Sequence, residues 1–260
     1  MTTIYDPHHP LYLDEADTRK ELERVYDLCH GCRLCFKFCP SFPTLFSYVD
    51  AHDDQDAGKM TPAQQDHVVD ECFQCKLCYV MCPYIPELHE WALDFPRLML
   101  RADAMRRANG QVSARDKLTT AVMGHTDALG KVATKAGVIS NVVMGAKPGS
   151  LIRKVVEKTA GISSVRMLPP FAKQRFTTWF KKRPQIRLTK SQGDVAVFPT
   201  CLVEYQDPRI GHDMVKVYEH NGISCSLAGT TNCCGAPYLH SGDMDTFTKV
   251  AAKNISELVK

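Results

Sequence analysis

Twelve cysteines stand in this sequence, and eight of them fall in two copies of one pattern. Cys29-His30-Gly31-Cys32-Arg33-Leu34-Cys35-Phe36-Lys37-Phe38-Cys39-Pro40 and Cys72-Phe73-Gln74-Cys75-Lys76-Leu77-Cys78-Tyr79-Val80-Met81-Cys82-Pro83 both read C-x2-C-x2-C-x3-C-P. Three thiolates at this spacing can reach three corners of one compact inorganic cube. The two residues between them let the chain curl so that amide N–H groups point at the sulfides, which is ligation chemistry for a [4Fe-4S] cluster. Zinc would use four cysteines as two C-x2-C pairs and needs neither a third evenly spaced cysteine nor the closing proline. A disulfide framework suits short secreted chains, and nothing here reads as secretory.

The fourth cysteine of each motif lies too far along the chain to close the same cube comfortably. The tandem pattern is similar to that of two-cluster ferredoxins, where the fourth cysteine crosses over to the other cluster. Applied here, Cys29, Cys32, Cys35 and Cys82 hold one cluster, and Cys72, Cys75, Cys78 and Cys39 hold the second. The proline after each fourth cysteine fixes its φ and is expected to stop a helix from continuing.

Helices should carry these motifs. The arm from Met1 to Asp14, with His8 and His9 between Pro7 and Pro10, reads as extended. Asp17 can cap a helix that runs through Arg19, Leu22, Val25 and Tyr26 into Cys29. Thr61-Pro62-Ala63-Gln64 is a capping box with proline at the first helical position, opening a helix through Val68 and Val69 to Cys72. Helix, motif and proline thus repeat with a period of 43 residues, which leaves room for a helical connection. Residues 51–59 read as an acidic loop, and Pro86 to Asn109 as two helices divided at Pro96 and ended by Gly110. Phe36, Phe38, Phe42, Phe73, Tyr79, Met81 and Tyr84 are placed to keep water from the clusters.

Net charge is +3, but the total hides three segments. Residues 1–100 carry 8 basic against 17 acidic side chains, residues 101–190 carry 19 against 4, and residues 191–260 carry 5 against 8. In the basic segment, Leu118, Val122, Leu129, Val132, Ile139 and Val143 fall on one face of a helix weakened by Gly124, Gly130 and Gly137. A short amphipathic helix spans Leu151 to Thr159, ending near Gly161. Basic residues then interleave with aromatics from Arg175 to Pro184, a texture that suits a partner subunit or the acidic N-terminal domain first, an anionic membrane surface second and nucleic acid third. The longest uncharged run, Ala136 to Ala146, is too short to span a bilayer, so an integral membrane protein is not expected.

From Gly193 the texture becomes strand (Asp194 to Phe198), helix (Pro208 to His220), strand (Ile223 to Leu227) and helix (Thr246 to Val259), the start of a parallel α/β unit. Its remaining cysteines are Cys201, Cys225, Cys233 and Cys234. Cys225 reads as a buried strand residue, and His125, His212, His220 and His240 carry no motif. Without a G-x-G-x-x-G after a strand, flavin or nicotinamide binding by this chain is not expected.

The tandem motif, then Cys201, 31 residues and Cys233-Cys234-Gly235, resembles the heterodisulfide-reductase-related iron–sulfur oxidoreductases with CCG domains. Within that family the resemblance points to the iron–sulfur subunits of anaerobic glycerol-3-phosphate dehydrogenase and of glycolate oxidase. It implies a third iron–sulfur cluster at Cys201, Cys233 and Cys234. The family's CCG domain closes with a C-x-x-C, and the chain stops at Lys260 before one appears. The expectation is a piece of a longer polypeptide, with a degenerate CCG domain as the alternative. The fold expected is α+β and multidomain: a mainly α-helical two-cluster ferredoxin domain over residues 1–110, a basic helical connector over 111–190, and the start of an α/β CCG domain over 191–260. The function implied is electron transfer between a flavoprotein dehydrogenase partner and a quinone or other redox acceptor. The expected setting is cytoplasmic, with peripheral contact of residues 101–190 on the inner face of the cell membrane as the further option. A heterodisulfide-reductase-like enzyme with a catalytic cluster at the CCG cysteines is the alternative.

Overall fold

A computed structural model describes residues 4–184, 193–228 and 233–259. Arg187 and Lys190 of the basic segment lie outside the described residues. The chain divides into two compact units, Met1–Asp116 with Pro237–Met244, and Lys117–Ala236 with Asp245–Lys260.

In the first unit, helix α1 (Glu15–Cys32) is capped by Asp14, whose carboxylate accepts the Asp17 N–H at 2.7 Å. Asp17, expected as the cap, sits instead in the first turn beside Glu15, where a carboxylate faces the positive end of the helix dipole. The helix passes the expected end at Cys29 and continues to Cys32, closing at Arg33 in the left-handed conformation. Pro40 does not end a helix but begins one: α2 (Ser41–Asp50) follows directly, because a residue without an N–H is harmless before the first turn. The Thr61–Gln64 capping box opens α3 (Pro62–Asp70) as expected. A short α4 (Leu77–Met81) lies within the second motif.

The two helices expected around Pro96 are one. Residues 85–91 form turns, and α5 (Phe95–Ala108) starts at Asp94, which accepts the Arg97 N–H at 3.0 Å with Pro96 in the first turn. These helices enclose a core that includes Leu22, Tyr26, Phe42, Leu45, Leu98 and Met99. The N-terminal arm is not free. Arg101 is fully buried and donates to the carbonyls of Tyr12 (3.0 Å) and Leu11 (2.6 Å) and to Asp17 (2.5 Å).

The apolar stripe from Leu118 lies on three helices rather than one: α6 (Ala114–Gly124), α7 (Thr126–Lys135) and α8 (Gly137–Met144). Gly124 and Gly137 stand at the two breaks. Gly130 stays inside α7 because the Tyr205 ring packs where its Cβ would be, 2.6 Å away. Val122, Leu129, Val132 and Val143 remain exposed. Helix α9 (Leu151–Ala160) ends on Gly161 at φ 73°, as its sequence requires.

The second unit also holds α10 (Phe176–Lys182) and the parallel pair β1 (Gly193–Val197) and β2 (Ile223–Leu227), joined through α11 (Cys201–Tyr205) and α12 (Pro208–His220). Gly193 pairs with Ile223 and Val197 with Leu227. Phe176, Phe180, Val197 and Val215 form the core against the sheet. The last helices are α13 (Ala236–His240) and α14 (Met244–Leu258). The molecule is therefore mostly helical, with one small parallel sheet among the described residues.

Candidate iron–sulfur site

The end of α1 fixes the first two thiols, since Cys29 and Cys32 are three residues apart and fall on one face of its last turn. The chain then reverses through Arg33, at φ 53°, whose N–H returns to the Cys29 carbonyl at 2.9 Å. Arg33 is held there by Asp50 and by the His30 ring and carbonyl, and its guanidinium lies 5.1 Å from the Phe46 ring centroid. His30 is itself buried and within 2.8 Å of Asp50. In the second motif the equivalent residue, Lys76, is again left-handed at φ 61° and begins α4. Neither is glycine, so this shared reversal carries no sequence signal.

Cys29, Cys32 and Cys35 of the first motif line one pocket with Cys82 of the second, walled by Leu28, Phe42 and Leu93 among others. Burial pushes the Cys29 thiol well up, and the neighbouring Cys35, Cys82, Cys78 and Cys32 push it further. Cys35 is pushed up to about 12 by burial and then by Cys82, Cys32 and Cys39. Around the other motif, Cys72 is pushed up to about 11, with burial the main cause and Cys39 and Cys75 adding to it. Cys78, the one buried thiol, is raised by burial and then by Cys35, Cys72, Cys39 and Cys75. The crowding runs between motifs as well as within them.

The four thiols face a common space without converging on a point. Among the described residues no three His, Cys, Asp or Glu side chains are gathered as they would be around a single ion. Zinc would draw its sulfurs to ~2.3 Å of one centre, whereas a cubane carries each ligand on its own iron. Thiols of two motifs gathered around one pocket, several of them partly buried, fit a [4Fe-4S] cluster, whose iron favours the thiolate that burial opposes.

Donors to sulfur are present too. The Tyr84 N–H lies 3.4 Å from Cys82 Sγ, and the Gln74 amide, which also donates to the Pro96 carbonyl, lies 3.6 Å from Cys72 Sγ. Sequence reasoning missed both. The wall around the thiols also differs from expectation. Phe42 is buried, Phe38, Tyr79 and Tyr84 are half-buried, but Phe36 and Phe73 in the motif loops and Met81 at the end of α4 are exposed.

In the second unit, Cys201 is the first residue of α11 and is exposed, as is Cys234, while Cys233 is half-buried. Burial raises Cys233, with Cys234 and Cys201 adding to the rise. Cys225, expected to be buried, is half-buried in β2 opposite Val195, and burial, then the Glu219 carboxylate, push its thiol up. His212 stacks on Trp179 with ring centroids 3.8 Å apart, and the His125 ring sits 2.7 Å from the Ala121 carbonyl, so these two have packing or backbone roles.

Residues 21–83 match the 4Fe-4S dicluster domain family, and residues 195–260 match the cysteine-rich domain family CCG. With the thiols arranged as above, the chain is an iron–sulfur protein that carries a dicluster domain and a CCG domain and binds [4Fe-4S] clusters. It is homologous to one of the subunits of the anaerobic glycerol-3-phosphate dehydrogenase of Escherichia coli (strain K12), with 29% identity over 157 residues, 60% of this chain and 39% of that relative. It is also homologous to lactate utilization protein A 1 of Bacillus mycoides (36% over 63 residues; 24% of this chain, 25% of the relative). An iron–sulfur protein of Methanocaldococcus jannaschii is 33% identical over 61 residues, 24% of this chain and 12% of that protein. The chain thus spans well under half the length of these relatives, and no solved structure matches it.

Proposed function

We propose that this chain is an electron-transfer subunit, passing electrons one at a time between a flavoprotein dehydrogenase partner and a quinone or other redox acceptor. The ligand sets are Cys29, Cys32, Cys35 and Cys82 for one cluster and Cys72, Cys75, Cys78 and Cys39 for the other. The observation that carries the reading is the pocket in which three cysteines of one motif meet the fourth of its twin. A [4Fe-4S] cluster, when bound, supplies a one-electron couple. The protein's own groups tune and protect it. The Tyr84 N–H and Gln74 amide place partial positive charge at Cys82 and Cys72 sulfur, favouring the more negative reduced state. Leu28, Phe42 and Leu93 keep water from the first ligand set. Exchange of Cys39 and Cys82 interlocks the two sets and keeps the path between them short.

The basic residues 101–190 form the docking segment, running from the end of a ferredoxin domain (1–110) through a connector spanning 111–190 to a CCG domain (191–260). Its helices expose Leu118, Val132, Leu151 and Val155 beside Lys117, Lys131 and Lys154. That mixture supports contact with a partner subunit or the anionic inner face of the membrane, where quinone is met. Among the described residues no helix is long and apolar enough to cross a membrane.

The test is anaerobic: the chain is mixed with its co-purified flavoprotein and the reduced dehydrogenase substrate, and its visible absorption is followed before and after a water-soluble quinone is added. Bleaching that needs the flavoprotein, then recovery on quinone, is expected. Disulfide turnover by the chain with no flavoprotein present would instead favour the heterodisulfide-reductase-like enzyme, a reading that draws on the proximity of Cys201 and Cys234 to Cys233.

A further inference from the structure

Among the described residues, helix α14 buries one side chain, and it is an amide: Asn254, at 8% exposure. The next residue, Ile255, is 59% exposed. An amide taken out of water costs about 1–3 kcal/mol unless it is bonded, and a leucine would fill the same space without that cost. The retained group should therefore be doing something that carbon cannot.

The Asn254 Nδ2 donates to the backbone carbonyl of Cys233 at 2.9 Å, across 21 residues of sequence. Its Oδ1 is buried without a donor, so among the described groups the side chain is held for that one bond. The same loop meets α14 a second time at Gly235. There φ is +90°, and an added Cβ would lie 3.0 Å from the Phe247 ring. The Gly235 N–H in turn donates to Cys233 Sγ at 3.4 Å. The loop bearing Cys233 and Cys234 is thus bonded to α14 at one point and runs close against it at a second.

We infer that Asn254 is the positioning residue of the CCG thiols. Its amide fixes the plane of the Cys233 carbonyl, and with it the direction in which the Cys233 side chain leaves the backbone. The inference rests on the proposed ligation by Cys201, Cys233 and Cys234. Nothing in the Cys-Cys-Gly motif announces it, because the partner lies in a helix far along the chain.

The whole chain tests this with two readouts. In the metal-free protein, iodoacetamide labelling of the Cys233–Cys234 peptide is timed by mass spectrometry. After anaerobic loading with iron and sulfide, iron per chain is counted. Asn254→Leu should speed labelling of Cys233 about five- to tenfold, the equivalent of one lost hydrogen bond, and lower iron to the level of Cys233→Ser. The resonance signals of the eight motif cysteines' clusters should stay unchanged. Asn254→Asp, the same size without the donor, should behave likewise and serves if the leucine variant fails to fold. Asn254→Gln, which keeps the donor, should recover part of both readouts. Variants that label and load like the parent overturn the positioning role. Full iron in Cys233→Ser would overturn the ligation reading, and with it the assignment of Asn254 to a cluster, while the labelling ratio still judges whether Asn254 holds the loop.

Discussion

At the scale of single residues, the thiols of the first unit are the groups most altered by folding. Cys35 rises from 9.0 to about 12 and Cys72 to about 11, chiefly through burial. In the metal-free chain these thiols keep their protons where the unfolded chain has lost them. The stability they contribute is complete below about pH 9 and is lost as pH rises through the window toward about 12. Urea unfolding of the metal-free chain between about pH 8 and about pH 11 should show a falling midpoint, with a shallower fall in Cys35→Ser. A midpoint that climbs with pH would contradict the burial. The identities of these cysteines were legible because ligand spacing is a local property. The residues that serve them were not. Gln74, Tyr84 and Asp50 act through contacts that only the folded chain creates, and Arg33 and Lys76 take a glycine-like conformation without being glycine.

At the scale of elements, legibility followed the reach of the signal. The Thr61 capping box, the Gly161 stop and the strands around Pro208–His220 are each specified within a few residues, and they appear where the sequence put them. Asp14 and Asp17 are both sound caps, and only packing distinguishes them; Arg101 draws Asp17 inward and leaves Asp14 to the N–H groups. The glycines of the basic segment look alike in sequence but do different work. Gly130 admits the ring of Tyr205, a buried residue whose hydroxyl is anchored 3.1 Å from the Asp127 carbonyl, so the ring cannot swing aside. Gly137 has nothing within 4 Å of its missing Cβ. Gly130→Ala should therefore destabilise the second unit by about 1–3 kcal/mol, whereas Gly137→Ala should be neutral or stabilising by about 0.5 kcal/mol. Thermal unfolding of the two variants checks the contrast, and equal shifts would contradict the packing at Tyr205.

At the scale of the whole molecule, the chain carries an acidic cluster-bearing segment, a basic helical one and a mildly acidic α/β one, and the charge division was plain in the sequence. What spacing could not settle is which thiols share a cluster, since four consecutive ligands and crossed ligands give the same motif twice. The direct measurement is electron paramagnetic resonance, with iron counts, on anaerobically prepared Cys39→Ser and Cys82→Ser, each compared with Cys32→Ser and Cys75→Ser as markers for the two motifs. With the ligands exchanged, Cys82→Ser should reproduce the Cys32→Ser spectrum and Cys39→Ser that of Cys75→Ser. If Cys39→Ser instead matches Cys32→Ser, each motif closes on itself and the exchange is wrong.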